Sequence, residues 1–95
     1  MRTDTELLIL LRDRTDTGSI WNMLIHVVHR ASHGEGITYP EGVRLIAIID
    51  NHAPKRTFST HDRVYIHYRM TPGKVKQRIR WINSLLKRIE NGEQL

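Results

Sequence analysis

The pattern that most constrains this chain lies near its end. Val75, Ile79, Ile82, Leu86 and Ile89 recur at spacings of four, three, four and three, the period at which one face of an α-helix is apolar. Thr71 offers an N-cap hydroxyl. Pro72 suits the first turn, where its missing N–H is not needed, and Asn91-Gly92 is a plausible stop. An amphipathic helix is therefore expected from Pro72 to about Glu90, with Glu93–Leu95 as a frayed tail. A lone helix of this kind is marginal in water, so its apolar stripe requires other elements to pack on it.

Upstream, Thr3 and Glu6 have the spacing of a capping box, in which hydroxyl and carboxylate each take one of the unpaired amides at a helix start. The spacing predicts a first helix ending near Arg14. Its Leu7–Leu11 run is apolar on every side, which reads as burial. The T-D-T-G at 15–18 breaks it. Thr17 or Ser19 then caps a second helix that runs to about Ser32 and stops at the Gly34–Gly36 loop. Thr38 and Glu41 repeat the capping-box spacing around Pro40, which predicts a third helix from about Pro40 to Asn51. The alternative for V-R-L-I-A-I-I is a buried strand, because the run is short and largely β-branched. Either way these residues belong to the core.

Between Asn51 and Thr71 the pattern changes. Val64, Ile66, Tyr68 and Met70 alternate with Arg63, Tyr65, His67 and Arg69, and a period of two places an apolar row on one face of a strand and a basic-aromatic row on the other. Lys55–Ser59 reads as its partner across a turn at S-T-H-D. The expected fold is thus α+β: a small helical domain with a two-stranded β-hairpin and a C-terminal amphipathic helix. At 95 residues there is room for a single domain, residues 1–95, burying roughly 60 to 65% of the unfolded surface.

Charge divides unevenly along the chain. Residues 1–54 hold five basic and seven acidic side chains, a net −2, whereas residues 55–95 hold ten basic and three acidic, a net +7. A basic surface of this kind attracts nucleic acid or acidic proteins. There is no cysteine, which excludes disulfides, thiolate metal sites and cysteine nucleophiles and permits a reducing compartment. The Leu7–Leu11 run is too short for a signal-peptide core or a membrane span, so a cytoplasmic location without membrane attachment is expected.

Two constellations suit phosphate. On the last helix Lys76, Arg80, Asn83 and Lys87 form a stripe at spacings of four, three and four, and Lys74, Arg78, Trp81 and Arg88 gather on the other flank. Guanidinium forks match phosphate oxygens, and an exposed tryptophan stacks on a base. On the hairpin, Lys55, Arg56, Arg63, Tyr65, His67 and Arg69 interleave cations with rings, as platforms for single-stranded nucleic acid do. The bland counterparts are a solvated helix face with Trp81 closing the core, and cross-strand pairing on an exposed sheet face.

A third constellation, His26, His29 and His33, stands on one face of the second helix. It matches no metal signature, and no metal or cofactor is assigned to it. It reads as a polar face, or as an interface that weakens when histidines protonate near about pH 6. No nucleophile elbow, phosphate loop or carboxylate pair is present, so no catalytic residue is assigned and the chain reads as a non-enzyme.

The string V-Y-I-H-Y-R-M-T-P-G-K-V-K-Q-R-I, Val64 to Ile79, resembles the wing strand and following helix of winged-helix transcriptional regulators of the PadR-like and MarR-like families. That resemblance covers 16 residues and implies a winged-helix fold and DNA binding. In those families a polar recognition helix enters the major groove. Here the corresponding segment, Val43–Ile49, carries Arg44 as its only charge, which shifts contact to the wing and last helix and to the backbone rather than the bases.

The sequence therefore predicts a small nucleic-acid-binding or transcription-regulating protein that contacts phosphates through Lys55, Arg56, Arg63, Tyr65, His67, Arg69, Lys76, Arg80 and Lys87. The alternative is an interaction protein or inhibitor, of the kind mobile elements carry, that docks the same basic surface on an acidic partner. The hairpin edge and the Trp81 helix offer two faces for a homodimer. The choice between DNA and RNA, and the identity of the target, stay open at this level.

Overall fold

The computed structural model describes residues 1–15, 36–52 and 72–95, with side chains from Val75 onward in the last stretch. Three helices account for the regular structure among them: α1 (Asp4–Thr15), α2 (Tyr39–His52) and α3 (Pro72–Glu90). The expected second helix with its histidine stripe, and the expected strands over residues 55–70, lie outside the described residues.

Both capping boxes form. In α1 the Glu6 amide donates to Thr3 Oγ1 at 3.2 Å, and Glu6 Oε1 accepts from the Thr3 amide and hydroxyl at 3.1 Å each. In α2 the Glu41 amide donates to Thr38 Oγ1 at 3.4 Å, and Glu41 Oε1 accepts from the Thr38 amide and hydroxyl at 3.0 Å. Local side chains thus satisfy amides that have no partner within the helix. At the far end of α1 the Thr15 hydroxyl turns back to donate to the Leu11 carbonyl, which lets a polar residue lie buried.

The segment Val43–Ile49 is helical, so the strand alternative is overturned. Burial recurs at Glu41, Gly42, Leu45, Ile48 and Ile49 while Val43 is exposed. That is a 3.6-residue period, and an alternating strand face would have paired Val43 with Leu45. In α1 the face Leu7, Leu8, Leu11 and Thr15 is buried, but Ile9 is 36% exposed. The helix therefore has a solvent side that a run of apolar residues did not announce.

α3 ends in a Schellman motif. The Gly92 amide donates to the Ile89 carbonyl at 2.9 Å and the Glu93 amide to the Arg88 carbonyl at 3.0 Å. Gly92 takes φ +89°, a left-handed conformation that is cheap only without a Cβ. The following residues are tied down rather than frayed. Arg88 Nε donates to Glu93 Oε2 at 3.3 Å, and Leu95 packs against the core.

Among the described residues the core is made of Leu7, Leu8 and Leu11 from α1, Leu45, Ile48 and Ile49 from α2, and Trp81, Ile82 and Leu85 from α3, with Ile37 just before α2. α1 packs chiefly on α3 and more lightly on α2. Four contacts give the directions. Arg44 of α2 joins Asp4 and reaches the Leu95 carbonyl at one end, while Arg12 meets Asn83 and Trp81 meets the His52 carbonyl at the other. α1 and α2 therefore run the same way and α3 runs against both.

These observations correct the α+β expectation and, with it, the winged-helix architecture. Among the described residues every regular element is a helix and none is a strand, so the fold is all-helical in this part. The physical reason is visible in the packing: among the described residues three apolar helix faces close on one another and form a continuous core without a strand. Among the described residues no helix is long and apolar enough to cross a membrane.

Candidate nucleic-acid interface

The solvent face of α3 follows from the same periodicity that buries its other side. With Trp81, Ile82 and Leu85 in the core, Lys76, Gln77, Arg80, Asn83, Ser84 and Lys87 are left exposed. At 3.6 residues per turn Lys76, Arg80 and Lys87 fall within about 40° of one another around the axis and span about 16 Å along it. None of the three makes a hydrogen bond or ion pair among the described residues. Their neighbours Gln77, Asn83 and Ser84 are neutral donors, and Glu90 is the one acid at the end of the row. Three cations with no internal partner and a common direction form a row that can take up anions.

α1 brings a fourth cation to this row. Arg12 Nη1 donates to Asn83 Oδ1 at 3.4 Å, which places the guanidinium beside the middle of the stripe, between Arg80 and Lys87 in sequence. Its Nε donates to Asp13 Oδ1 at 3.3 Å, and its side chain stays 38% exposed. Exposed pairs of this length contribute little, so Arg12 is held in place without being consumed. Sequence reasoning missed it because Arg12 belongs to the net-acidic half. Only the antiparallel packing of α1 on α3 brings it across.

The other flank of α3 is corrected. Arg78 is 2% exposed and Trp81 is 6% exposed, so neither offers a surface to a ligand. The Trp81 indole Nε1 donates to the His52 carbonyl at 2.9 Å, tying the last turn of α2 to α3 and satisfying the buried N–H. Arg88 is engaged with Glu93. Trp81 is a core residue, and the face expected to combine cations with a stacking ring carries the ring inward.

Comparison with known protein families, curated proteins and solved structures finds no match.

Of the residues expected to touch nucleic acid, the structure brings together Lys76, Arg80 and Lys87 and adds Arg12 and Asn83 to them. Lys55, Arg56, Arg63, Tyr65, His67 and Arg69 lie outside the described residues. The acids nearest the opposite end of the bundle are all committed internally. Glu41 is nearly enclosed and accepts from the Arg2 amide at 2.8 Å, from Arg2 Nη1 at 3.0 Å and from Thr38; these bonds hold its carboxyl down at about 2. The side-chain bond from Arg44 lowers Asp4, and the backbone and side-chain bonds from Thr3 lower Glu6. At the α1 and α2 N-termini Asp4 and Glu41 are thus paired with Arg44 and Arg2, and Glu6 stays exposed in its capping box, while positive charge on α3 is left facing water. Among the described residues no group of histidine, aspartate or glutamate is arranged to hold a metal.

Proposed function

We propose that this protein is a small, non-enzymatic, cytoplasmic nucleic-acid-binding protein, of a kind that serves transcriptional regulation, contacting phosphates through the exposed face of α3. The observation that carries the reading is the row Lys76, Arg80 and Lys87, three exposed cations on one narrow arc with no partner among the described residues. Such a row supplies contacts that position a nucleic acid and read no base edge, so sequence selectivity is expected to be low.

Fluorescence-anisotropy titration of the purified chain with labelled nucleic acid at two salt concentrations tests it. Binding is expected to fall steeply with salt, and the double change Arg80→Ala with Lys87→Ala is expected to weaken it for all sequences alike and to flatten the salt slope by about 0.9 per lost contact on a duplex. Unchanged affinity in the double variant, with the fold intact, removes α3 as the site. A stable complex with one acidic protein, alongside no binding to nucleic acid at low salt, replaces the proposal with a protein-docking role for the same face.

A further inference from the structure

We infer that Arg12 of α1 is a phosphate-contacting member of this site, so that the binding surface is composite and crosses the α1–α3 seam, and that its neighbour Asp13 restrains it. This rests on the reading of the α3 face as a nucleic-acid site and adds to it a contact and a built-in competitor from the other half of the chain.

The row on α3 has a gap. At the rise of a helix Lys76 and Arg80 lie about 6 Å apart along the axis, whereas Arg80 and Lys87 lie about 10.5 Å apart. The residues between them, Trp81 to Leu86, carry no charge. A nucleic-acid strand bears its charges at regular intervals, so a two-turn blank leaves part of it unmatched. Arg12 falls in this blank. Its Nη1 donates to Asn83 Oδ1 at 3.4 Å, and Asn83 lies about 4.5 Å beyond Arg80 and about 6 Å short of Lys87 along the axis. With Arg12 at the level of Asn83, four cations follow one another at intervals of roughly 4.5 to 6 Å.

The guanidinium is held there loosely. Of its five donors, Nη1 is engaged with Asn83 and Nε with Asp13 Oδ1 at 3.3 Å. Both bonds are long, and the side chains of Arg12 and Asp13 are 38% and 60% exposed, so the ion pair is weak. A phosphate offers a shorter, charge-assisted bond and displaces Asp13 from it. Asn83 is a positioning residue: its Oδ1 keeps the guanidinium beside α3 without adding a charge that would oppose the ligand.

The test is anisotropy titration of the full chain with a labelled random-sequence duplex and a labelled single strand, over a range of salt. Arg12→Gln is expected to flatten the slope of log K against log salt by about 0.9 on the duplex and about 0.7 on the single strand, one contact in either case, with an unchanged melting temperature. Arg12→Lys, which keeps the charge, is expected to retain the slope. Asp13→Asn is expected to bind roughly two- to fivefold more tightly at low salt, the size of one exposed ion pair. Asp13 lies in the last turn of α1, where a carboxylate opposes the helix dipole, so its loss does not weaken the helix. Asn83→Ala is expected to bind more weakly with the slope retained. The effects at Asp13 and Asn83 are both expected to vanish in the Arg12→Gln background. A slope untouched by Arg12→Gln, where the Arg80→Ala and Lys87→Ala double change flattens it, removes Arg12 from the contact and leaves the α3 row standing. A gain from Asp13→Asn that persists undiminished in the Arg12→Gln background overturns the restraint. If neither probe binds at low salt, the underlying reading of the face fails, and the inference with it.

Discussion

Arg44 grips Asp4 with two arms of its guanidinium, Nε to Oδ1 at 2.9 Å and Nη2 to Oδ2 at 2.6 Å. The same Nη2 lies 3.4 Å from the Leu95 carbonyl oxygen. One side chain therefore joins the start of α1, the middle of α2 and the tail beyond α3. Asp4 also sits in the first turn of α1, where a carboxylate faces unpaired amides and the positive end of the helix dipole. Read from sequence, Arg44 was the single charge on a would-be groove-reading helix. In the fold it is a brace.

Arg44→Lys tests that role, because lysine keeps the charge and loses the fork. Both partners are about one-third exposed, so the expected loss is modest, about 1 kcal/mol. Urea denaturation measures it. Binding to nucleic acid should be unchanged, since the brace is remote from the exposed face of α3.

Acid should loosen the bundle from its α1–α2 end. Glu41 is held at about 2 in the fold against an ordinary value of 4.5, first by the Thr38 amide and then by the Arg2 amide; Asp4 is lowered as well, by Arg44. A carboxyl depressed by folding contributes stability that is present above its unfolded value and is lost as pH falls through its folded one. The melting temperature should therefore fall between about pH 4.5 and about pH 2. Glu41→Gln should be less stable at neutral pH and show a shallower decline over that range. A wild-type melting temperature flat across this window would remove the Glu41 network from the account.

Trp81→Phe separates core from stacking platform. The ring is kept and the donor to the His52 carbonyl is lost, so stability should drop by about 1–2 kcal/mol, mostly from the orphaned carbonyl. Affinity for nucleic acid should not change. A large loss of affinity without a loss of stability would place Trp81 back at the ligand.

Gly92→Ala should cost about 1 kcal/mol in thermal or chemical unfolding. Nothing stands within 4 Å of the position where its Cβ would be built, so the cost is conformational, set by φ +89°. Gly92→Asn should be milder, because asparagine tolerates the left-handed region better than alanine does.

A gain of charge on the α3 face gives the reciprocal test. Ser84 is exposed and lies four residues after Arg80 and three before Lys87, within reach of the same row. Ser84→Lys should steepen the salt dependence of duplex binding by about 0.9, and the same change at Glu93, beyond the stripe, should affect it less.

What the sequence determined by itself is local. Thr3 with Glu6, Thr38 with Glu41 around Pro40, and Asn91-Gly92 after an apolar period of four and three placed the starts of α1 and α2 and the end of α3, because capping bonds and a left-handed glycine act within six residues and need no distant partner. The Lys76–Arg80–Lys87 face was legible for the same reason, since a helical period that buries one side exposes the other. What tertiary structure decided is everything that depends on which faces meet. Trp81 lies about 100° round from Arg80 on the helix, and spacing alone left it open whether that flank faced solvent or core; packing of α3 against α1 and the end of α2 turned it inward. Arg12 stood in an acidic half until antiparallel packing laid it against Asn83. The β-branched run at 43–49 and the alternation at 63–70 invited a strand reading, and a core closed by three helix faces overturned it for the first and set the all-helical architecture of the described chain. Local bonds choose where a helix begins; burial of apolar area, which is non-directional and summed over the whole molecule, chooses which side of it faces water.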